Sequence, residues 1–358
     1  MKEYLAIGLM SGSSLDGIDI ALVRFQIQEP CRSYRYNLLI AETLPYPETW
    51  QTKLSNAFHS SPSELEILDK EYGAYLGLQI KDFVTRHQVK PDFVASHGHT
   101  IFHKPEQHYT LQIGDGQAIA NHCGLLTIND FRSEDVQKGG QGAPLVPIGD
   151  ALLFSDYDIC LNIGGIANLS YVLNGKRIAY DICIANQALN YLANKEGQHY
   201  DRDGLSARSG NVDSTLLEHL NAHPFYSQEP PKSLGREFFE SELHALLDRY
   251  PVRDALATVT EHIAIQIAKA TSEIPSGKML ITGGGARNKY LIERIQHHAN
   301  HTVVLPDTNT IDYKEALIFA LLGVLRLEGQ VNVLSSVTGA SSDSSSGRIW
   351  HPSCSGKQ

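Results

Sequence analysis

The feature that most constrains the fold of this chain is a pattern that occurs twice: an apolar strand, a polar turn containing glycine, and a second apolar strand. The first copy is YLAIGLM, SGSSLDGID and IALVRFQI near the N-terminus, and the second is YDICLNIGGIANLSYVL at residues 157–173. The copies share a pattern and not residue identities, so they are weak evidence of internal duplication. Helical periodicity at 62–88 and 253–272 alternates with short apolar strands at 92–98, 125–130 and 278–282, which predicts α/β layers.

Length and charge narrow the classes of protein further. A chain of 358 residues indicates two domains at roughly 150 residues each, and the pattern restarts near residue 150. The formal charge of −10 and the pI near 5.9 argue against a nucleic-acid or anionic-membrane partner, because phosphate backbones need clustered Lys and Arg. The Ser-rich segment after residue 340 predicts a loop with a weakly ordered end.

The sequence also predicts a cytoplasmic location. No apolar stretch reaches the roughly 18 residues that a transmembrane helix needs, and the run Leu5–Met10 is too short for a secretion signal. The five cysteines, at positions 31, 123, 160, 183 and 354, form no C-x-x-C pair. They are typical of unpaired thiols in a reducing compartment.

The first glycine turn is a candidate anion site. Glycines let backbone N–H groups approach a phosphate, serine hydroxyls add donors, and Asp16 or Asp19 could hold Mg²⁺ directly or through water. The turn is not a G-x-x-x-x-G-K-[ST] loop because no lysine follows, and a hairpin that merely needs glycine is the alternative. The candidate nucleotide-binding residues here are Gly8, Ser11, Gly12, Ser13, Ser14, Asp16, Gly17 and Asp19.

Two further glycine turns make the pattern more specific. NIGGIAN at 162–168 opens the second half, and TGGGARN at 282–288 follows a strand and precedes a helix. Each turn alone is weak evidence. Two related turns opening two halves, with a glycine cluster late in the chain, are the organisation of proteins that grip ATP in a cleft between two related domains. The candidates added here are Asn162, Gly164, Gly165, Gly283, Gly284, Gly285 and Asn288.

Across nearly its whole length the sequence resembles the anhydro-N-acetylmuramic acid kinase family, of the sugar kinase/heat-shock protein/actin superfamily. The motifs that carry the resemblance occur in order: GLMSGSSLDGID, ASHGHTIFH, LQIGDGQAIA, DFRSEDVQKGGQGAPLVP, LNIGGIANLS, YDRDG, PKSLGREFF, ITGGGARN and VTGA. The resemblance implies two ribonuclease H-like, actin-like ATPase domains of βββαβαβα type around a central cleft. The first would comprise residues 1–153 and about 326–358, and the second 154–325.

The resemblance also implies a reaction. Such kinases use ATP, Mg²⁺ and water to open the 1,6-anhydro ring of an amino sugar from cell-wall recycling and place a phosphate on O6, and they are typically homodimers. Water must attack the anomeric carbon while O6 leaves and captures the γ-phosphoryl group, so the site needs a carboxylate base and neutralisation of phosphate charge.

Matched residue by residue, Asp181 occupies the position of the family's base, at the start of its D-T-G-P-G-N motif. Asp115, Arg132 and Glu315 match sugar-side or supporting positions, and Asp130, in the same DFR motif as Arg132, is a substrate-binding candidate with them. The residues between Ser11 and Asp19 match the ATP phosphate loop, Asn162–Asn168 match the second phosphate loop, and Gly283–Asn288 match the adenosine side.

Each of these assignments has a plainer alternative. Asp130 and Arg132 could be an ion pair at a strand end, and Asp115 between two glycines is most often a turn residue. Glu315 near the start of an apolar helix favours the helix dipole in any case.

Three histidines, His97, His99 and His103, permit a different hypothesis, a metal-dependent hydrolase, because H-x-H at a strand end begins some metal sites. No further ligands are recognisable at other strand ends. The family has glutamine where His99 stands, so a neutral hydrogen-bonding role in a substrate pocket wall, with His97 as a substrate contact and no metal, is the preferred interpretation.

The chain departs from the family in one segment. D-T-G-P-G-N is here Asp181-Ile182-Cys183-Ile184-Ala185-Asn186, so two glycines and a threonine hydroxyl are replaced. We expect apolar neighbours to raise the pKa of Asp181, and we expect Ile184 to intrude where the glycines had left room. An active kinase is the preferred hypothesis, because the turns, Asp115, Arg132, Asp181 and Glu315 are present together; a catalytically impaired or altered-specificity sugar- or nucleotide-binding homologue is the alternative.

Overall fold

The computed structural model describes residues 2–12, 15–30 and 32–353, and it divides into two units. Unit 1 comprises the described residues up to Leu153 together with those from Tyr313 onward, and unit 2 comprises Phe154–Asp312. The strands are β1 (Lys2–Ser11), β2 (Gly17–Gln28), β3 (Ser33–Pro45), β4 (Phe93–Lys104), β5 (Tyr109–Ile113), β6 (Leu126–Asn129), β7 (Ile159–Ile163), β8 (Ile166–Leu173), β9 (Lys176–Ile184), β10 (Lys278–Thr282), β11 (Thr302–Val304) and β12 (Arg348–Trp350).

The structure has helices at both ranges for which helical periodicity was predicted, 62–88 and 253–272, and further helices elsewhere in the chain. They are α1 (Glu48–Asn56), α2 (Pro62–His87), α3 (Gly116–Cys123), α4 (Ser133–Gln137), α5 (Pro147–Leu153), α6 (Asn186–Lys195), α7 (Leu205–Ser209), α8 (Ser214–Asn221), α9 (Arg236–Phe238), α10 (His244–Leu247), α11 (Val252–Thr271), α12 (Lys289–His298), α13 (Thr308–Leu327) and α14 (Ser335–Thr338). A π-helical turn, Phe239–Leu243, joins α9 to α10. None of the helices in the described ranges is both long enough and apolar enough to cross a membrane.

Unit 1 is built on a seven-stranded sheet in the order β12-β6-β4-β1-β2-β3, with β5 paired to β4. The strands β1, β2 and β3 are antiparallel neighbours, whereas β4 is parallel to β1 and β6 is parallel to β4. One face of the sheet is covered by α2, whose buried residues Leu68, Tyr72, Leu76, Ile80 and Phe83 recur at helical spacing.

Unit 2 repeats this arrangement with a five-stranded sheet in the order β11-β10-β7-β8-β9. Again the first three strands are antiparallel, and the next strands, β10 and β11, add in parallel beside the first. Three antiparallel strands followed by parallel strands beyond the first is the ribonuclease H-like arrangement. The predicted α/β fold class is therefore confirmed, and the shared topology supports the duplication that the strand–turn–strand pattern indicated weakly.

Helix α13 belongs mainly to unit 1, although the sequence analysis placed its residues up to about 325 in the second domain. The helix is apolar on all sides, and the residues from Ala316 to Leu322 are fully or almost fully buried. It lies so close to β1 that a Cβ added at Gly8 would come 1.8 Å from the carbonyl oxygen of Ala316. Gly323 in turn lies against the ring of Phe93 in β4. Backbone contact with the sheet of unit 1 accounts for this difference.

The Ser-rich segment after residue 340 is held by strand pairing and hydrogen bonds, and the end of the chain from residue 354, where weak order was predicted, lies outside the described residues. Strand β12 pairs antiparallel with β6, Ile349 opposite Ile128, and the Trp350 indole N–H donates to Asn129 Oδ1 at 2.8 Å. Asn332 donates to the carbonyl oxygens of Leu322 and Ser346. Because these backbone groups find partners, the segment is ordered through residue 353 despite its polar composition.

Candidate active-site residues

The first glycine turn is anchored at Ser11, the last residue of β1. The Ser11 hydroxyl is 2.7 Å from the Tyr46 hydroxyl and 2.8 Å from His99 Nδ1, and Tyr46 in turn contacts the Tyr72 hydroxyl. Ser11, His99, Tyr46 and Tyr72 are all buried. Burial lowers the pKa of His99 to about 4, so its ring is neutral at physiological pH.

The Ser11 hydroxyl has two hydrogen-bond partners within the protein, Tyr46 and His99. A serine hydroxyl has one hydrogen to donate. If His99 Nδ1 accepts, that hydrogen goes to His99; if His99 Nδ1 donates, the hydrogen can go to Tyr46, provided that the Tyr46 hydroxyl does not itself donate to Ser11. In both of these arrangements the hydrogen is used within the protein. Ser11 therefore acts as an anchor of the turn, and Ser13 and Ser14 lie outside the described residues.

We predict that His99→Gln is tolerated and His99→Leu is not. A glutamine amide can bond the Ser11 hydroxyl, whereas leucine leaves a buried hydroxyl short of a partner at a cost of about 1–3 kcal/mol in unfolding free energy. The pKa of His99 falls from 6.5 in the unfolded chain to about 4, so its contribution to stability is full above pH 6.5 and is lost toward pH 4. Denaturant unfolding of the variants at several pH values measures both effects. Equal stability of both variants would contradict this role for His99.

The surroundings of the other described residues in the first glycine turn differ from one residue to the next. A Cβ at Gly17 would come 2.4 Å from the carbonyl oxygen of Leu44, so the approach of β3 requires glycine here, as α13 does at Gly8. Gly12 is half-buried and Asp16 is exposed. Asp19 Oδ1 accepts from the Thr43 hydroxyl at 2.6 Å.

Arg132, which follows β6, forms a pair with His97 in the neighbouring strand β4. The guanidinium donates to His97 Nε2 from both Nε, at 3.1 Å, and Nη2, at 2.9 Å, and Nη1 donates to the carbonyl of Gly142 at 2.7 Å. Burial, with the Arg132 charge second, holds the pKa of His97 well below its usual range. Since Nε2 accepts from Arg132, it is not available to a metal, which argues against the hydrolase hypothesis. His103 lies further along β4 and bonds Thr110 Oγ1 at 3.2 Å.

Glu315 lies within electrostatic range of Arg132 and Asp19. Burial raises the pKa of Glu315, Arg132 opposes that rise, and Asp19 adds to it. Burial also lowers the pKa of Arg132 to about 10, against the opposing effect of Glu315, and the guanidinium stays charged at neutral pH. The neighbouring Lys314 forms a buried ion pair with Asp150 at 2.6 Å, which fixes this turn of α13. His97, Arg132, Glu315 and Asp19 thus form one group of interacting side chains in unit 1.

Asp115 and Asp130 have local structural roles. Asp115 is the N-cap of α3, and its Oδ1 accepts from the backbone N–H of Ala118 at 2.7 Å. Asp130 has a positive φ of 58°, accepts from the N–H of Ser133 and pairs with the Arg348 guanidinium at 3.1 Å. The ion pair that Asp130 makes is therefore with Arg348, whereas Arg132 bonds His97.

The second glycine turn joins β7 to β8 in unit 2. The carbonyls of Gly164 and Gly165 accept from the backbone N–H groups of Asn186 and Ala185, and Asn186 Nδ2 donates to the carbonyl of Ile163 at 3.0 Å. These bonds tie the turn to the start of α6. Sequence reasoning did not include Asn186 among the candidates, although its position at the end of the family's D-T-G-P-G-N motif was a usable signal.

The third glycine cluster separates into residues that the fold needs and one that it does not. Gly283 has a φ of +82° beside Asn162 Oδ1, and a Cβ at Gly285 would come 2.3 Å from Ile163 Cγ2. Gly284 is exposed, and a Cβ there would come no closer than 3.6 Å to Asn186 Nδ2; the space at Gly164 and Gly165 is similar. Asn288 caps α12 by accepting from the N–H of Leu291 at 3.0 Å.

Asp181 lies in the second half of β9, where the segment 228–234 covers the strand. Its N–H donates to the carbonyl of Lys232 at 3.1 Å, and its Oδ2 accepts from the N–H of Leu234 at 2.9 Å. Burial raises the pKa of Asp181 to about 6, and the Leu234 bond opposes part of the rise. This agrees with the expectation for an acid with apolar neighbours. A carboxylate with a pKa close to neutral can take a proton at physiological pH and release it again.

The residues that depart from the family pattern are part of the core of unit 2. Ile182, Cys183, Ile184 and Ala185 are 3%, 0%, 1% and 0% exposed. Strand β9 continues through Ile184, which pairs with Ile166. Ile184 was expected to intrude where the family's glycines had left room; its side chain is packed in this core, where apolar groups gain free energy from burial.

Two ribonuclease H-like units, glycine turns between the first strands of each, and a desolvated carboxylate beside the second turn define a protein of the actin-like ATPase class. The family model for anhydro-N-acetylmuramic acid kinase matches residues 4–352. The chain belongs to this family, as its motifs predicted.

Relatives of the same name agree with this assignment along the whole chain. Anhydro-N-acetylmuramic acid kinases from Mannheimia succiniciproducens and Vibrio cholerae are each 35% identical, and each alignment covers 98% of this chain and 99% of the relative. The one from Saccharophagus degradans is 36% identical over 98% of this chain and 100% of its own length. Among solved structures, the chain is similar to an activator of 2-hydroxyisocaproyl-CoA dehydratase from Clostridium difficile, at a TM-score of 0.43 and 16% identity, covering 88% of this chain and 93% of that one.

Proposed function

We propose that this protein is an ATP-dependent kinase that opens the ring of 1,6-anhydro-N-acetylmuramic acid with water and phosphorylates O6, giving N-acetylmuramic acid 6-phosphate and ADP. Family membership over residues 4–352 supports the reaction. The observation that carries the proposal is Asp181, a carboxylate held by a backbone N–H, with a pKa of about 6. That combination is suited to a general base.

In the proposed reaction Asp181 takes a proton from the attacking water. The water oxygen bonds to the anomeric carbon as the bond from that carbon to O6 breaks. O6 then bonds to the γ-phosphorus as the bond between that phosphorus and the bridging oxygen of ADP breaks. O6 attacks phosphorus with the electron pair of the broken bond to the anomeric carbon, so no proton has to be removed from O6. The one proton that the reaction releases is the proton that Asp181 takes from water.

Nucleotide contacts are proposed where the fold itself does not require glycine. Gly164, Gly165 and Gly284 have room for a side chain, so a closely approaching phosphate would explain their lack of one. Gly12 belongs to the corresponding turn of unit 1. Gly8, Gly17 and Gly285 are instead proposed to act by bringing backbone segments together.

Asp19 fits a Mg²⁺ ion that accompanies ATP. Its carboxylate supplies oxygen donors, the ligands that Mg²⁺ prefers, and it lies within electrostatic range of Glu315, whose pKa it raises. Such an ion would neutralise charge on the transferring phosphoryl group. Asp19 is proposed as the ligand, and Arg132, held by His97, as the cation facing the sugar with Glu315 and Asp115.

The direct test is to incubate the purified protein with ATP, Mg²⁺ and 1,6-anhydro-N-acetylmuramic acid and to follow ADP and the sugar phosphate. Equal amounts of both products are expected. Nucleotide binding without turnover on this sugar would favour the alternative, an impaired or altered-specificity homologue. The core position of Ile182–Ala185 favours the active kinase, because their bulk lies within the fold.

The proposal extends to a cytoplasmic homodimer, for which the family resemblance is the support. Light scattering coupled to gel filtration would give its mass, and a mass of one 39.5 kDa chain at micromolar concentration would contradict the dimer.

A further inference from the structure

A cavity of about 340 Å³ lies in unit 2, between the end of α11, the hairpin of β8 and β9, and the segment 226–232. This volume is in the range of small-molecule sites. Most of its wall is formed by aromatic and aliphatic side chains, and its charged wall comprises two lysines and two glutamates. The side chains used below are Tyr171, Tyr180, Ile182, Tyr226, Lys232 and Ala270.

The tyrosines of this cavity present ring surface, because two of their hydroxyls have partners within the protein. The Tyr180 hydroxyl donates to the carbonyl of Ala270 at 3.1 Å. The Tyr226 hydroxyl is 3.0 Å from His262 Nε2, and His262 Nδ1 is 2.8 Å from Asn221 Oδ1. Because Asn221 Oδ1 can only accept, His262 carries its hydrogen on Nδ1 and accepts from Tyr226 at Nε2.

Lys232 is one of two cations in the cavity wall, which also includes Lys269 and the carboxylates of Glu229 and Glu273. Its ammonium donates to the carbonyl of Phe225 at 3.3 Å and lies 4.9 Å from the Phe225 ring centre and 5.8 Å from that of Tyr180. Burial lowers the pKa of Lys232, and Glu229 opposes this from a distance. No ion pair among the described residues includes Lys232, and the carbonyl of Phe225 takes one of its three N–H groups.

The chain that leads out of this cavity wall, residues 232–234, also binds Asp181. The carbonyl of Lys232 and the N–H of Leu234 both bond Asp181, and both residues belong to PKSLGREFF, a motif to which the sequence analysis gave no role. Ile182 is the extra residue of a β-bulge, since Cys183 pairs with Ala167 and Asp181 with the adjacent Asn168. Bulges redirect side chains, and Ile182 lines the cavity directly beside Asp181.

We propose that this cavity binds a ring compound with one carboxylate or phosphate group, and that its occupancy acts on Asp181 through residues 228–234. The ring would stack on the tyrosines, and the anionic group would pair with Lys232. The effect on Asp181 rests on the proposed function, whereas ligand binding does not. Both a sugar acid and an aromatic acid have this chemistry, and the experiment separates them.

The binding experiment uses two probes, N-acetylmuramic acid and 4-hydroxyphenylacetate, titrated by calorimetry and by saturation-transfer NMR into the full chain. Lys232→Met should weaken binding by roughly tenfold or more, the loss expected for a charge-assisted bond. Ala270→Phe fills the cavity and should abolish binding. Lys176→Met removes an exposed lysine from the same hairpin and should change affinity less than about twofold. Thermal unfolding confirms that each variant is folded.

The outcomes separate the two parts of the proposal. Binding of either probe that depends on Lys232 and Ala270 establishes the site and identifies its ligand class. Absence of binding by both probes up to about 5 mM, or binding that neither substitution alters, overturns it. If a bound probe changes kcat by less than about twofold in the wild type, the link to Asp181 is wrong while the site remains. If the wild type has no kinase turnover at all, the proposed function fails and the binding result is unaffected.

Discussion

Asp181→Asn is expected to lower kcat by roughly 10²–10⁴-fold with little change in KM for ATP, because the amide cannot take a proton from water. Asparagine has nearly the same shape, and its side-chain oxygen can still accept from the N–H of Leu234, so the surrounding loop should stay in place. Steady-state kinetics with the anhydro sugar would measure the loss. Asp203→Asn, at a half-buried carboxylate in the turn before α7, is a matched control that should retain activity.

The wild-type rate should also depend on pH in a direction set by Asp181. The carboxylate must be ionised to act as a base, and its pKa is about 6, so kcat should fall as the pH is lowered through 6 and level off above about 7. An ordinary exposed aspartate would give this fall near pH 4. A rate that is constant from pH 7 down to 5 would show that Asp181 is not the base.

Stability distinguishes a catalytic Asp181 from a structural one. The folded state raises the pKa of Asp181 from 3.8 to about 6, so ionising it opposes folding, and the cost appears as the pH rises through this range. By the same relation the cost at neutral pH is roughly 3 kcal/mol at most. Asp181→Asn should therefore be at least as stable as the wild type at pH 7.5. A large loss of stability in denaturant unfolding would indicate a structural role instead.

The sequence pattern predicted the strands and helices whose formation depends on residues close together in the chain. The strands β1, β2, β4 and β10 are apolar runs next to glycine turns, and α2 and α11 have clear helical periodicity. Strand β3 was missed because it lies at the sheet edge and its side chains are mostly exposed or half-buried. Strand β12 was missed because three residues in a serine-rich tail carry no pattern, and pairing with the distant strand β6 orders them.

The candidate site shows a sharper limit. Motifs indicated which residues matter, but not whether each one faces a ligand or the protein itself. The bond between Ser11 and His99, and the approach of Ala316 to Gly8, join residues that are 88 and 308 positions apart. No local window contains both partners. The same applies to Ile182–Ala185, which a motif comparison assigns to a loop and the fold places in the core.

Two adjacent glycines in the third cluster, Gly284 and Gly285, allow a ligand-facing role and a role in packing to be separated by experiment. Gly284→Ala is expected to fold as the wild type does, because the added Cβ would have no neighbour closer than 3.6 Å. If ATP approaches this turn as proposed, the methyl group should raise KM for ATP by about tenfold or more, since backbone contact with a nucleotide leaves little room for a side chain. ATP titration and thermal unfolding of the same preparation measure both quantities.

Gly285→Ala is the matched variant one residue along, and it should behave in the opposite way. Its Cβ would come 2.3 Å from Ile163 Cγ2 and 3.1 Å from the Ile163 carbonyl oxygen, and Ile163 is fully buried in β7. Overpacking of this kind costs about 1–3 kcal/mol, so a lowered midpoint of unfolding is expected before any specific loss of ATP affinity. If Gly284→Ala binds ATP as well as the wild type does, the glycine there serves neither the fold nor the nucleotide, and the adenosine-side assignment of this turn fails. If both variants are equally unstable, the space beside Gly284 is not open in solution, and the division of the cluster into fold-required and nucleotide-facing glycines is wrong.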